Sequence, residues 1–348
     1  MTRVIPEVPG ALSADEVLRS AEHIAGLQLP TGEIPWWPGG HCDPWNHVET
    51  AMALDVAGLH AHARHAYRWL ADIQHDSGAW FNYYQSDGDV EDRKLDTNVC
   101  AYVATGVWHH WLSTGSTDDA AGSWPMVKQA LDWVLAQRRP DGMVLWAVHS
   151  DGTREWDYAL LTGSSSITHA LRCGVRLGEL LDDPQPVWAA VATQIAERIR
   201  GDERAFEDKS RWAMDWYYPV LAGVLDEGPR KERLAHRWGE FVMDGLGVRC
   251  VSDEPWITAS ETAECALAYS AIGDNDTATD LLAATRSHRR DDGAYWTGIV
   301  YPDAANDLTA PVQFPFEEHS AYTAAAVILA ADAISGATPA AGIFSTRP

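Results

Sequence analysis

Two kinds of helical segment alternate along the chain. One kind is amphipathic, with apolar residues returning every three to four positions, near 14–27, 61–74, 125–137, 187–200, 230–243 and 275–287. The other is poor in charge, rich in Ala, Gly, Ser and Thr, and has no polar face, near 45–58, 96–113, 157–178, 213–225, 257–272 and 317–333. Helices of that second composition suit close packing on every side. Their starts lie about 45–60 residues apart, the length of a helix pair with loops, so the pattern is an internal repeat. Six polar-faced helices alternating with six buried ones predict an all-α (α/α)6 barrel, an inner ring wrapped by an outer one. We expect a single domain over residues 1–348, with 1–12 and 336–348 as flexible ends and strands confined to short aromatic loop segments.

The punctuation between segments repeats as well. Ser13-Ala14-Asp15-Glu16 has the form of a capping box at the first helix. Four amphipathic segments run into a glycine turn followed by an aromatic: Gln28 to Gly32 and Trp36, Gln74 to Gly78 and Trp80, Gln137 to Gly142 and Trp146, His288 to Gly293 and Trp296. We expect each glycine to stop its helix. Each long loop then leads from an outer helix to the start of an inner one, so the loops gather at one end of the barrel.

Composition narrows what that end can do. Fifty acidic against 26 basic residues give a net charge of −24, which repels phosphate backbones and anionic lipid headgroups. Nucleic acid and membrane surfaces are therefore not expected partners. Cys42, Cys100, Cys173, Cys250 and Cys265 are scattered and contain no CxxC pair, which fits a reducing compartment. The opening residues lack an apolar signal core and no stretch is long enough to span a bilayer, so the expected location is the cytoplasm. The 17 tryptophans are unusual, and many fall in the loops.

The mouths of the inner helices hold the candidate chemistry. The first reads Trp36, Trp37, then Asp43-Pro44-Trp45-Asn46-His47 and Glu49; the others carry Asp96, Asp157, Asp215-Trp216, Glu261 with Glu264, and Glu318-His319, with Trp296 in the last glycine turn. Each mouth has a carboxylate, most have an aromatic beside it, and cleavage of a glycosidic bond needs that inventory. One carboxyl protonates the leaving oxygen, a second acts as base or nucleophile, and aromatic faces stack on sugar CH groups. Plainer roles stand beside these. Asp43 before Pro44 can simply cap a helix, Asp96 divides between cap and ligand contact, and Glu261 and Glu264 can be first-turn acids favoured by the helix dipole. Glu49 reads as a sugar or hydrogen-bond contact. The consecutive His41-Cys42-Asp43 does not have metal-ligand spacing, so neither metal nor cofactor is expected.

The paired helices with tryptophan-rich loops resemble the (α/α)6 glycoside hydrolases. The Gln-to-Gly-to-Trp turns are also similar to the repeats of squalene cyclases and protein prenyltransferases. The Asp-x-Asp-Asp acid motif, the Asp-x-Cys zinc motif and DDxxD-type motifs of that second group are absent. More narrowly, Trp36 to Glu49 with Ser260-Glu261-Thr262-Ala263-Glu264 and Phe316-Glu317-Glu318-His319 resembles the actinobacterial methylmannose polysaccharide hydrolases, cytoplasmic α-1,4-endomannosidases. That resemblance covers nearly the whole chain. It implies a neutral, partly methylated polysaccharide as substrate, with Asp43 and Glu261 as the acid/base pair, Glu261 the proton donor, and inversion at the anomeric carbon. A terpenoid cyclase or prenyltransferase, which needs an apolar cavity without paired acids, and a non-catalytic carbohydrate-binding protein are the rival readings.

Overall fold

The computed structural model describes residues 4–303 and 306–345. In chain order the helices are α1 (Ala14–Leu27), α2 (Pro44–Val56), α3 (His60–Asp72), α4 (Thr97–Thr114), α5 (Thr117–Ala136), α6 (Leu161–Leu180), α7 (Pro186–Gly201), α8 (Ala213–Leu221), α9 (Glu227–His236), α10 (Trp238–Phe241), α11 (Ala259–Ala271), α12 (Asn275–Ala284) and α13 (Ala321–Ser335). α2, α4, α6, α8, α11 and α13 pack each against the next, and α13 returns to α2, closing an inner ring. α1, α3, α5, α7, α9 and α12 wrap it, and α10 is a single extra turn. Every residue of α2 is buried, whereas α1 buries Val17, Ala21, Ile24 and Leu27 along one face. Small residues set the spacing of the ring. A Cβ on Gly106 of α4 would stand 2.4 Å from Val48 of α2.

The glycine turns do something other than end helices. α1 stops at Leu27, and Gly32 lies beyond it in a separate tight turn in which its N–H donates to Leu29 O. Gly78, Gly142 and Gly293 repeat that turn, all with positive φ. Each is pressed against the next outer helix: a Cβ on Gly78 would lie 2.4 Å from Gln129 O in α5. The glutamine before the turn completes the joint. Gln28 Nε2 donates to Gly32 O and His62 O, and Gln74 Nε2 to Gly78 O and Met126 O. The motif is a staple between neighbouring outer helices.

Other boundaries move for local reasons. The helix expected from 125 begins at Thr117, where Ser116 Oγ accepts from Asp119 N, and carries Pro125 inside. The segment expected over 230–243 ends as α9 at His236, and Val242–Met243 turns back onto Gly247–Val248. The last inner helix starts at Ala321 rather than 317, because Glu317 adopts φ of 60° and Ser320 is the N-cap. The third mouth shifts similarly, α6 starting at Leu161 and leaving Asp157 in the loop. The ends are packed rather than loose over their described parts: Val8, Leu12, Ile343 and Phe344 belong to the core.

Short antiparallel strands rim the N-terminal end of the inner ring. His41–Cys42 pairs with Tyr83–Gln85 and that with Val90–Asp92; Lys94–Asp96 pairs with Ala147–His149; Trp256–Thr258 pairs with Gly298–Val300 and that with Val312–Gln313.

Candidate active site

Two inner helices begin with the same device. Asp43 caps α2, with Oδ1 accepting from Asn46 N at 3.0 Å and Oδ2 from the Trp36 indole Nε1 at 2.7 Å. Asp96 caps α4, with Oδ1 accepting from Asn98 N and Val99 N and Oδ2 from Trp146 Nε1 at 2.5 Å. In each case a helix N-terminus and a loop tryptophan hold one buried carboxyl from two sides. Burial pushes the Asp43 carboxyl up to about 6, against the opposing pull of those N–H donors. Asp96 is raised by burial too, although the Lys94 charge and three N–H bonds oppose it. Asp215, in the first turn of α8, accepts from Thr162 N and Thr162 Oγ1 and is also raised by burial. Glu261, in the first turn of α11, is half-buried and accepts from Ser260 Oγ at 2.7 Å and Cys250 Sγ at 3.4 Å.

These four acids face one cavity of about 610 Å³. Its walls include Trp36, Trp45, Tyr83, Trp146, Trp212 and Tyr322, with Asn46, Asn98 and Thr162 among the polar groups. Trp45 is held flat against Tyr102, ring centres 3.8 Å apart. Lys94 and Lys209 offset the acids, Lys94 Nζ lying 4.5 Å from the Trp146 ring. A larger hollow of about 760 Å³ touches Asp215 from the α9 side, among Glu203, Arg233, His236 and Arg237. It has no aromatic wall, and Arg233 is committed there to Glu203 and to backbone carbonyls.

Several residues expected at the site stand elsewhere. Glu49 and Glu264 lie beneath the cavity floor in the centre of the ring. Glu49 Oε1 accepts from Tyr102 OH at 2.8 Å, and Glu264 accepts from Tyr217 OH and, at 2.8 Å, from Tyr322 OH. Burial first, then neighbouring carboxylates, holds both well toward the protonated form. His47 is a buried brace between Ile34 N and Ala66 O, its ring pushed down to about 4 by burial. Trp216 is buried against Phe241 and donates to Arg233 O. Asp157 is exposed in the loop, offering its carbonyl to Arg139. Trp37 stands edge-on to Trp36, outside the cavity lining. Trp296, ahead of the 298–300 strand, packs against His319 in the turn before α13, where Glu318 accepts Thr297 N through its backbone. Conversely, Trp146, Tyr322 and Thr162 line the cavity although none of them is among the site residues expected from the sequence. Trp146 follows a glycine turn like Trp36, and that shared position is the signal for it.

Among the described residues, no group of three or more His, Cys, Asp or Glu side chains is arranged to hold a metal ion. No helix of the described residues is long and apolar enough to cross a membrane. No protein-family model matches the sequence. Over 340 residues, 98% of this chain and 92% of the relative, the sequence is 45% identical to the MMP endo-(1,4)-3-O-methyl-α-D-mannosidase of Mycolicibacterium hassiacum. The chain belongs to that mannosidase family. Among solved structures it is similar to a glycosidase in complex with glucose, with a TM-score of 0.70 and 14% identity, covering 93% of this chain and 97% of that one. It is similar also to a rhamnosidase from Klebsiella oxytoca with rhamnose bound, with a TM-score of 0.63 and 15% identity, covering 92% and 64%. At such identities the likeness is one of fold. Within a mannosidase family the chemistry to look for is a pair of carboxyl groups in unlike surroundings. Buried, N–H-clamped Asp43 and half-exposed Glu261 are such a pair.

Proposed function

We propose that this chain is an endo-acting mannosidase that hydrolyses α-1,4 links of a 3-O-methylated mannan, with inversion at the anomeric carbon, using Asp43 as acid and Glu261 as base. The observation that carries the reading is the aromatic-walled cavity with four acids at the mouths of the inner helices, in a chain 45% identical to a mannosidase. Four carboxyl groups in one cavity do not suit a terpenoid cyclase, which needs an apolar cavity without paired acids.

The surroundings of the two acids argue for a division of labour opposite to that expected from the family resemblance. The buried Asp43 keeps its proton to about 6, and both of its protein partners are donors, so the proton it carries has no acceptor except what enters the cavity. Glu261 is closer to solvent and to water that can serve as nucleophile. As the anomeric C–O bond breaks, its electron pair goes to the leaving oxygen, which takes the Asp43 proton. Water forms the new C–O bond and passes a proton to Glu261. Trp36 and Trp45 supply faces for the sugar rings, and the two lysines keep the cavity near neutral for an uncharged substrate. A single domain over the whole chain and a cytoplasmic location belong to the same proposal, the latter supported by five buried cysteines that are all free.

The test is mass spectrometry of α-1,4-mannooligosaccharides and methylated mannan after incubation with wild type, Asp43→Asn and Glu261→Gln. Cleavage by the wild type and its loss in both variants is expected, with NMR of the first product showing the β anomer. An oligosaccharide with an activated aryl leaving group should restore turnover to Asp43→Asn alone, since such a group leaves without a proton. Intact sugars with the wild type would remove the mannosidase reading.

A further inference from the structure

A solvated face of an antiparallel sheet ordinarily presents polar side chains. The three-strand sheet of 256–258, 298–300 and 312–313 does not. Its register sets Trp256, Val300 and Val312 opposite one another on one face, while Ile257 and Ile299 on the other face are buried in the core. Phe314 extends the outer face, its ring edge-on to Trp256 with centres 5.3 Å apart. Val312 is 40% exposed, Phe314 49% and the nearby Phe316 79%. The face is also built. Trp256 Nε1 donates to Phe314 O at 3.1 Å across Gly298, where a Cβ would lie 2.2 Å from that nitrogen.

The same face runs to the edge of the cavity. Cys250 N donates to Trp256 O, and Cys250 Sγ donates to Glu261 in the cavity wall. Val251, the next residue, bridges to Trp212, which lines the cavity and is itself 44% exposed. The exposed Trp212 at the cavity rim and the outer face of Trp256 and Phe314 are thus joined through the buried Cys250–Val251 segment, and together they make a broken apolar strip beside the candidate base.

We propose that this strip is a carbohydrate platform that takes the stretch of methylated mannan running out of the cavity. The proposal rests on the functional reading above. Sugar CH groups and O-methyl groups stack on indole and phenyl faces and ask for no charged partner; the strip offers rings and valines, and Arg211, which lies over the Trp212 ring, is already paired with Asp253. A second copy of the chain is a poorer occupant. At roughly 250 Å² for a whole ring, the exposed fractions of Phe316, Phe314 and Trp212, 79%, 49% and 44%, leave roughly 430 Å² of ring surface, well short of the roughly 800 Å² per partner that a stable interface buries.

The experiment is calorimetric binding of short and long 3-O-methylated α-1,4-mannooligosaccharides to the full chain carrying Glu261→Gln, with and without Trp256→Ala or Val312→Asp. The long oligomer is expected to bind about tenfold more tightly than the short one. Either added substitution should abolish that gain and leave the short oligomer unaffected. Val312 lies on an exposed edge strand, so its variant keeps the test alive if Trp256→Ala does not fold. Equal binding of the long oligomer in all three proteins overturns the proposal, as does a dimer in sedimentation that Val312→Asp dissociates. A wild type that cleaves nothing removes the functional reading without touching this binding measurement.

Discussion

Helix α2 carries a buried carboxylate at each end, and the two are solved in opposite ways. Asp43, at the cavity end, is bonded by neutral N–H donors, with His41 acting only as a more distant charge, and burial leaves it to retain a proton. Asp55, at the far end, is enclosed by two imidazoles, with His60 Nδ1 at 2.9 Å and His110 Nδ1 at 2.8 Å; His110 in turn faces Asp119, which Arg64 holds. Burial alone would lower the His110 pKa, but the bond and charge of Asp55, with Asp119, raise it. One end of the helix is thus electrostatically closed by ion pairs, and the other leaves its acid without one, open to the cavity. On the proposed mechanism, stability and reactivity are separated along about 20 Å of helix, taken at 1.5 Å per residue.

Removing each carboxylate should break the comparison in its own currency. Asp43→Asn should lower kcat by roughly 10²- to 10⁴-fold, the range for a lost general acid, while asparagine still caps the helix. Steady-state kinetics beside a thermal melt reads both halves of that statement. Asp55→Ala should leave kcat per folded molecule alone and cost about 3 kcal/mol, because it strands the buried His110 imidazole, while the partly exposed His60 can turn to water. Urea unfolding measures it.

The pH dependences should run as follows. A histidine raised in the folded state stabilises fully below its unfolded value near 6.5 and loses that contribution as pH rises through the folded value. The stability gap between wild type and Asp55→Ala should therefore narrow from pH 6 toward alkaline pH. Asp43 is raised as well, so folding favours its protonated form and that contribution is lost as pH rises through about 6. Relative to wild type, Asp43→Asn should gain thermal stability above that pH, and the wild-type rate should fall there as the acid ionises. The smallest effect is that of Trp36→Phe. Losing one indole donor should cost roughly two- to tenfold in kcat/KM and move the alkaline limb upward, because that donor favours the ionised carboxyl. An unmoved limb would assign the rate-controlling proton to another group.

The helix pairs were legible because hydrophobic periodicity is local, and the aspartates at the mouths because a cap before proline or a small-residue helix is local too. Depth was not. Glu49 follows Asp43 by six positions, about 9 Å further down the barrel axis, and nothing in the string tells a cavity-lining acid from one under the floor. Glu264 fails for the same reason, one turn below Glu261. Trp216 looked like a sugar platform from its place beside Asp215, yet helical geometry turns neighbouring residues to different sides. The start of α13 was missed because Glu317-Glu318-His319 has the polarity of a helix mouth, and only the positive φ of Glu317 and the Ser320 cap show otherwise.

The outer staples carry a consequence for synthesis. The last one, at Gly293, closes onto Arg19 of α1, and Arg286 Nε donates to Ala11 O across 275 residues. Tyr322 of α13, which completes the cavity wall, follows later still. A nascent chain emerging from the ribosome can assemble its early helix pairs in order, but the ring has no seam to close until nearly all of it has been made. Hydrolytic competence therefore waits for α13, and a chain cut short before that helix has an open arc in place of a closed ring.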